Sequence, residues 1–185
     1  MGQPPAYNFF LALMPEHEES RRIAALAAQW REALGLRGEC FKPERLHMTV
    51  AMLGKLLPKA PAGAVIDAAC AAVTSARLSR PFLRLDHATS FGKQGPQKKP
   101  FVLRCDEAGD ASFKAFAAPL GAVWQHVGLT VAPAGLAHMT LLYDRRKLEV
   151  FEIAPIHWHP RCCALMLSHV GESRHERLAE WTLPD

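Results

Sequence analysis

The sequence is 185 residues long, with 49% apolar residues, 22% charged residues and a formal net charge of +4 with histidines neutral. That is enough apolar material for one sizeable core, and too ordinary a charge content for a globally disordered chain. The mildly basic balance permits an anionic ligand without demanding one, and the N-terminal apolar run is too short to cross a membrane.

In chain order, residues 7–14 read as a strand buried on both faces, ended by Pro15. Glu16, Glu18 and Glu19 then suit the first turn of a helix, where negative charge meets the positive end of the helix dipole. Ile23, Leu26, Ala27, Trp30 and Leu34 fall on one helical face, and Gly35 and Gly38 close the element. Residues 46–53 form a second strand. Pro58 and Pro61 precede an alanine-rich helix over about residues 62–76. Residues 82–91 alternate weakly as a strand, residues 92–100 are a polar turn with three lysines, and residues 101–105 are a strand. Phe113, Phe116, Ala117, Leu120, Trp124 and Val127 mark a further amphipathic helix. Residues 137–142 form a strand, 145–155 a connection, 164–170 a strand, and 181–183 a short final strand.

Five cysteines, Cys40, Cys70, Cys105, Cys162 and Cys163, are odd in number and lack metal-ligand spacing. They read as reduced, mostly buried thiols of a cytoplasmic protein. Cys162 and Cys163 point to opposite faces of one strand, not to each other.

The tetrapeptide His47-Met48-Thr49-Val50 recurs as His138-Met139-Thr140-Leu141, 91 residues later. Strand residues alternate faces, so His47 and Thr49 share one side while Met48 and Val50 enter the core, and the second copy does the same. The order strand, helix, motif strand also occurs twice. This predicts a duplicated α+β unit, bilobal, with the two motifs facing a common cleft. Two imidazoles can divide acid and base duties and two hydroxyls can hold oxygens between them, a layout suited to a phosphodiester.

At these residues the chain resembles the 2H phosphoesterase superfamily, and within it the bacterial RNA 2′,3′-cyclic phosphodiesterases, also called the 2′-5′ RNA ligase or LigT-like family. The resemblance runs over nearly the whole chain: residues 9–15 resemble the family's opening strand, Arg45-Leu46-His47-Met48-Thr49-Val50 its first motif, His138-Met139-Thr140-Leu141-Leu142 its second, and Trp158, residues 164–168 and residues 178–183 its C-terminal segment. It implies a single two-lobed domain over residues 1–185, with two antiparallel sheets flanked by helices around a central cleft. It also implies metal-independent opening of cyclic phosphates at the ends of RNA or small nucleotides, without a cofactor. By motif order, His47 becomes the proton donor and His138 the proton acceptor, with Thr49 and Thr140 holding the phosphate. Relatives often carry an arginine in a Leu-Leu-Arg-Asp run after the second motif. Here that run is Leu141-Leu142-Tyr143-Asp144, which makes Tyr143, Arg145 and Arg146 candidate substrate contacts.

Lys93, Lys98 and Lys99 either steer RNA phosphates or decorate a solvated turn, and Phe91 either stacks a base or packs in the core. His157-Trp158-His159 lacks a third ligand at metal-site spacing, and Trp158 reads as a core anchor. There is no Gly-rich phosphate loop with Gly-Lys-Ser/Thr, no Gly-x-Gly-x-x-Gly and no Gly-x-Ser-x-Gly, so no nucleotide cofactor or serine nucleophile is expected. No oligomer interface is legible and a monomer is expected. Two rival readings use the same residues: 2′-5′ RNA ligation, and a binding module for RNA ends that turns nothing over.

Overall fold

The structure is a computed structural model and describes residues 6–93, 95–129, 131, 135–172 and 174–185. The chain runs β1 (Tyr7–Met14), α1 (His17–Ala33), a 3₁₀ turn (Pro43–Arg45), β2 (Met48–Leu57), α2 (Gly63–Ser75), β3 (Leu83–Ser90), β4 (Lys99–Cys105), α3 (Glu107–His126), β5 (His138–Asp144), β6 (Phe151–Trp158), β7 (Cys162–His169) and β8 (Arg174–Thr182). All strand pairings among the described residues are antiparallel, in the order β6-β3-β4-β5-β2-β1-β7-β8.

The α+β class is as expected, but the two expected sheets are one. Two four-stranded halves meet at the centre through a single bridging pair, Met48 with Met139, and hydrogen bonding continues across that seam. The seam is short because a different segment takes the rest of β5. Cys40 bridges Leu142, and the Phe41 N–H donates to the Leu141 carbonyl at 2.7 Å. The stretch leading into the first motif therefore lies beside the strand that carries the second.

Strand alternation sorts the two faces. Phe9, Leu11 and Leu13 of β1 join Leu85, Leu103, Met48 and Met139 under the helices, against Ile23 and Ala27 of α1, Ala69, Ala72 and Val73 of α2, and Phe113, Phe116, Leu120 and Trp124 of α3. The opposite face carries a small cluster of Phe10, Ala12, Met14, Ala164 and Met166. Cys163 belongs to the first cluster and Cys162 packs on the second, one thiol on each face. All five cysteines are free. Burial, first of all, pushes the thiols of Cys105, Cys162 and Cys163 up to about 12, so they stay protonated and unreactive. Trp158 is fully buried, a core anchor.

One strand, β6, went unread in the sequence, and β8 was read only at its end, over residues 181–183. β6 holds Pro155, which argues against a ladder strand, but β6 is a sheet edge and Pro155 falls in the irregular stretch between Ile156 and Glu152 of its pairing with β3, where a proline is tolerated. β8 is the other edge, and its residues Arg174, His175, Glu176 and Arg177 hide any apolar alternation. Charges of this kind keep an exposed edge from pairing with another chain.

Candidate active site

The bridge between Met48 and Met139 fixes how the motifs meet. In an antiparallel pair the residue before Met48 lies across from the residue after Met139. His47 therefore faces Thr140, and Thr49 faces His138. The four side chains form a rectangle on the face away from the helices, with the imidazoles at diagonal corners and a hydroxyl at each of the other two. With same-face strand neighbours ~6.6 Å apart and cross-strand partners ~5 Å apart, the diagonal is about 8 Å at the Cβ level. Two rings reaching inward from that separation leave room for a phosphate-sized group. Met48, Val50, Met139 and Leu141 are buried on the other face.

Both rings are oriented by the backbone two residues upstream. His47 Nδ1–H donates to the Arg45 carbonyl at 2.7 Å, and His138 Nδ1–H donates to the Leu136 carbonyl at 2.8 Å. A carbonyl can only accept, so each Nδ1 holds the proton and each Nε2 is left as the titrating atom. Phe10 lies beside the His47 ring at 5.1 Å, and Phe91 meets the His138 ring edge-on at 5.0 Å. Phe91 is thus a neighbour of the second histidine.

Burial lowers the His47 pKa below the usual histidine value. The Arg45 carbonyl opposes this, while the Arg45 charge and His138 add to it. Burial also lowers that of His138, with the Leu136 carbonyl opposing, the Arg104 charge adding and Asp110 opposing. Arg104 is the register partner of His138, and its guanidinium donates to Asp110 at 3.0 Å. The other Asp110 oxygen accepts the Ala137 N–H at 3.0 Å. The first turn of α3 thereby braces the entry to β5.

A cavity of about 630 Å³ opens beside this quartet. Its walls include Phe41, Lys42, Arg45, Lys98, Tyr143, Arg174, His175 and Arg177. The motif side chains themselves do not line it. It reaches them through Arg45 and through His175, whose ring centroid is 5.3 Å from that of His47. Burial first, then the charges of His47, Arg45 and His169, bring the His175 pKa down to about 4, so its ring is neutral above mild acidity.

Of the sequence candidates, Tyr143 and Lys98 line this cavity, while Arg145, Arg146, Lys93 and Lys99 do not. The Arg146 guanidinium donates to the Leu34 carbonyl at the end of α1 at 2.6 Å, and its backbone N–H donates to Asp144 at 2.8 Å. Lys99 is buried and clasps the polar turn, donating to the carbonyls of Gly95, Gln97 and Arg145 at 2.8, 3.0 and 3.2 Å. The other four cations of the cavity come from elsewhere: Lys42 and Arg45 ahead of the first motif, and Arg174 and Arg177 on β8. Arg45 was legible as the residue two before His47. His175 and Arg177 share a face by period two, a signal that needs β8 to be read as a strand first.

Asp144, in the place that follows Tyr143, ties the segments together. It is buried, and one carboxylate oxygen accepts the N–H groups of Arg37 and Gly38 at 2.7 and 2.6 Å. Burial works to raise its pKa, but the backbone N–H groups of Arg146, Gly38, Arg37 and Arg145 outweigh this and hold it below the usual carboxylate value. Gly38 is close enough to β5 that a Cβ there would lie 2.2 Å from the Tyr143 carbonyl oxygen. Among the described residues, no group of three or more His, Cys, Asp or Glu could hold a metal ion. No helix among them is long and apolar enough to cross a membrane.

The fold has counterparts among solved structures. The protein TT0787 of Thermus thermophilus is 18% identical, with 95% of this chain and 97% of that chain covered and a TM-score of 0.70. Apo E. coli LigT is 20% identical, with 99% and 100% covered and a TM-score of 0.65. The chain has the LigT fold. E. coli LigT complexed with 3′-AMP, 18% identical over 99% of this chain and 100% of that one, matches it with a TM-score of 0.62. No protein-family model and no curated protein matches the sequence. The likeness to LigT thus lies in the backbone path and spans both halves of the sheet.

Proposed function

We propose that the chain is a single-domain 2H phosphoesterase, built of two pseudo-symmetric halves, that opens 2′,3′-cyclic phosphates at RNA or nucleotide ends to 2′-phosphomonoesters without a metal or cofactor. The observation that carries this reading is the rectangle of His47, Thr49, His138 and Thr140 across one antiparallel bridge, with both Nδ1 atoms fixed by carbonyls. The LigT fold supports it, since E. coli LigT has been solved with 3′-AMP, ATP and phosphate. Free thiols throughout fit a reducing compartment, in keeping with a cytoplasmic site of action.

In the reaction, His138 Nε2 takes a proton from water as its oxygen attacks phosphorus. His47 Nε2–H gives a proton to the departing ribose oxygen on the opposite side. The roles follow the order of the motifs in the resemblance. Diagonal histidines suit an in-line displacement, because attack and departure lie on opposite sides of the phosphorus. Thr49 and Thr140, at the other corners, donate hydrogen bonds to the non-bridging oxygens as charge builds there. Running ring opening backwards with an RNA hydroxyl in place of water gives 2′-5′ ligation from the same residues.

Both histidines have lowered pKa values, so the singly protonated pair that the reaction needs is scarce in the free enzyme at neutral pH. The profile of kcat/KM, which reports the free enzyme, is expected to be bell-shaped with its maximum on the acid side of ~6.5. The profile of kcat should lie further alkaline, because a bound phosphodiester anion favours the imidazolium. Steady-state rates on a 2′,3′-cyclic nucleotide with chelator present, and phosphorus NMR of the product, test this. A rate that is flat from about pH 5 to about 9 removes the acid–base pair. Loss of turnover with chelator points to metal chemistry, and tight binding without product points to the binding module.

A further inference from the structure

We infer that the cavity beside His47 is a subsite for the phosphate and base on the 5′ side of the terminal nucleoside. The preferred substrate is then the cyclic-phosphate end of an oligoribonucleotide, and a free cyclic nucleotide is a poor one. The inference rests on the phosphodiesterase reading above and adds what lies upstream of the reacting phosphate. A mononucleoside 2′,3′-cyclic phosphate has nothing to place there; an RNA end has a phosphodiester and a base.

Three observations point to an anion with an attached aromatic group. The walls hold five cations against three carboxylates. On β8, Arg174 pairs with Glu176 and Arg177 with Glu180, whereas Lys42, Arg45 and Lys98 have no acidic partner in the ion pairs of the described residues. Secondly, Arg45 Nε and His175 Nδ1 are buried with no hydrogen-bond partner among the described residues, and both side chains line the cavity. Desolvated polar atoms of this kind gain from a ligand that hydrogen-bonds to them, and phosphate oxygens are strong acceptors for arginine. Thirdly, the Arg45 guanidinium lies 4.2 Å over the Phe41 ring, and Phe41 is 5.9 Å from the half-exposed Tyr143. Aromatic rings beside a cationic groove are how proteins hold single-stranded RNA without reading its sequence.

The position also fits. His175 and Arg45 are shared neighbours of the cavity and of His47, so a strand whose end sits at the quartet enters the cavity at its next phosphate. Tyr143 stands where the resemblance leads one to expect arginine. Here Arg45 and Tyr143 both neighbour Phe41, so the cavity wall offers a cation and a ring side by side.

The test compares a 2′,3′-cyclic mononucleotide with a trinucleotide carrying the same cyclic end, in wild type, in Lys42→Ala/Arg177→Ala, and in Lys59→Ala as a control for net charge. Binding of a fluorescent trinucleotide and mononucleotide is followed by anisotropy against salt. Wild type should favour the trinucleotide by about tenfold or more in kcat/KM at low salt, and the double variant should bring that ratio close to one. Its salt slope for trinucleotide binding should be shallower by about 0.7, one phosphate contact. Equal use of both substrates by wild type, or a ratio unchanged in the double variant, overturns the inference while leaving the phosphodiesterase reading in place. If neither substrate is turned over, that reading fails, and the anisotropy decides the cavity alone: it stands if the double variant loses the trinucleotide preference and Lys59→Ala keeps it, and falls otherwise.

Discussion

His47→Ala and His138→Ala are each expected to lower kcat/KM on a 2′,3′-cyclic nucleotide by about 10²–10⁴-fold, the usual worth of one positioned proton transfer. Neither change should unfold the protein. Each ring is half-buried, on the face away from the main core, and its one backbone hydrogen bond is to a carbonyl two residues upstream. A single hydrogen bond of that kind contributes about 1 kcal/mol. Far-ultraviolet circular dichroism and the melting temperature separate the two effects. If the histidines act in one concerted step, the double variant falls little below the worse single one, since residues that act as a unit are not additive. Thr49→Val and Thr140→Val keep shape and β-propensity while removing the hydroxyl, and are expected to cost less than either histidine. A histidine variant that retains nearly full rate with an intact fold ends the acid–base assignment for that residue.

Gly38→Ala is expected to cost about 3 kcal/mol of stability, and to cost activity beyond that. The added methyl meets the Tyr143 carbonyl at 2.2 Å and its carbon at 2.9 Å, both backbone atoms of β5 that cannot step aside. Relief requires residues 37–38 to lift away, which removes the two N–H donors that Asp144 accepts. The buried carboxylate is then short of the groups that keep it ionised. The same segment leads through Phe41 to Arg45, whose carbonyl orients His47. For a chain of this size, a loss of about 3 kcal/mol is a fall of roughly 6–12 °C in Tm. Asp144→Ala attacks the same clasp from the other side and should behave alike. The pH dependence has a definite sign. Asp144 has a folded-state pKa below its unfolded value, so its contribution is complete above the ordinary carboxylate range and is lost as pH falls through the folded value. Acid denaturation of wild type should therefore be steeper than that of Asp144→Ala. Equal melting temperatures for wild type and Gly38→Ala would show that the segment has room the structure does not give it.

Much of this fold was legible where burial is complete. β1 is apolar on both faces because helices cover one side and β7 contributes Ala164 and Met166 beside it on the other. α1 and α3 announce themselves by periodic apolar residues that enter the core. The edges were legible only at the end of β8, since β6 and β8 bury little, and an edge strand is specified by what its neighbour leaves unpaired. Within the site, the two motifs could be read, but not how they pair. That His47 faces Thr140 follows from one long-range bridge, which no local pattern encodes. Asp144 reads as part of a family-like run, and only the fold reveals that it holds residues 37 and 38, more than a hundred positions away. His175 stayed hidden for the same reason, on a charged strand that reaches His47 only after the hairpin with β7 closes.

The two imidazoles stand on either side of the least stitched line in the sheet. One residue pair spans β2 and β5, whereas β1 and β7 share eight. The aperture between the rings is consequently held by the packing of Met48 and Met139 under the helices and by the Asp144 clasp, with hardly any ladder across it. Each half is a four-stranded plate, so the width of that gap is set by side chains packed in one shared core and not by a hydrogen-bonded ladder.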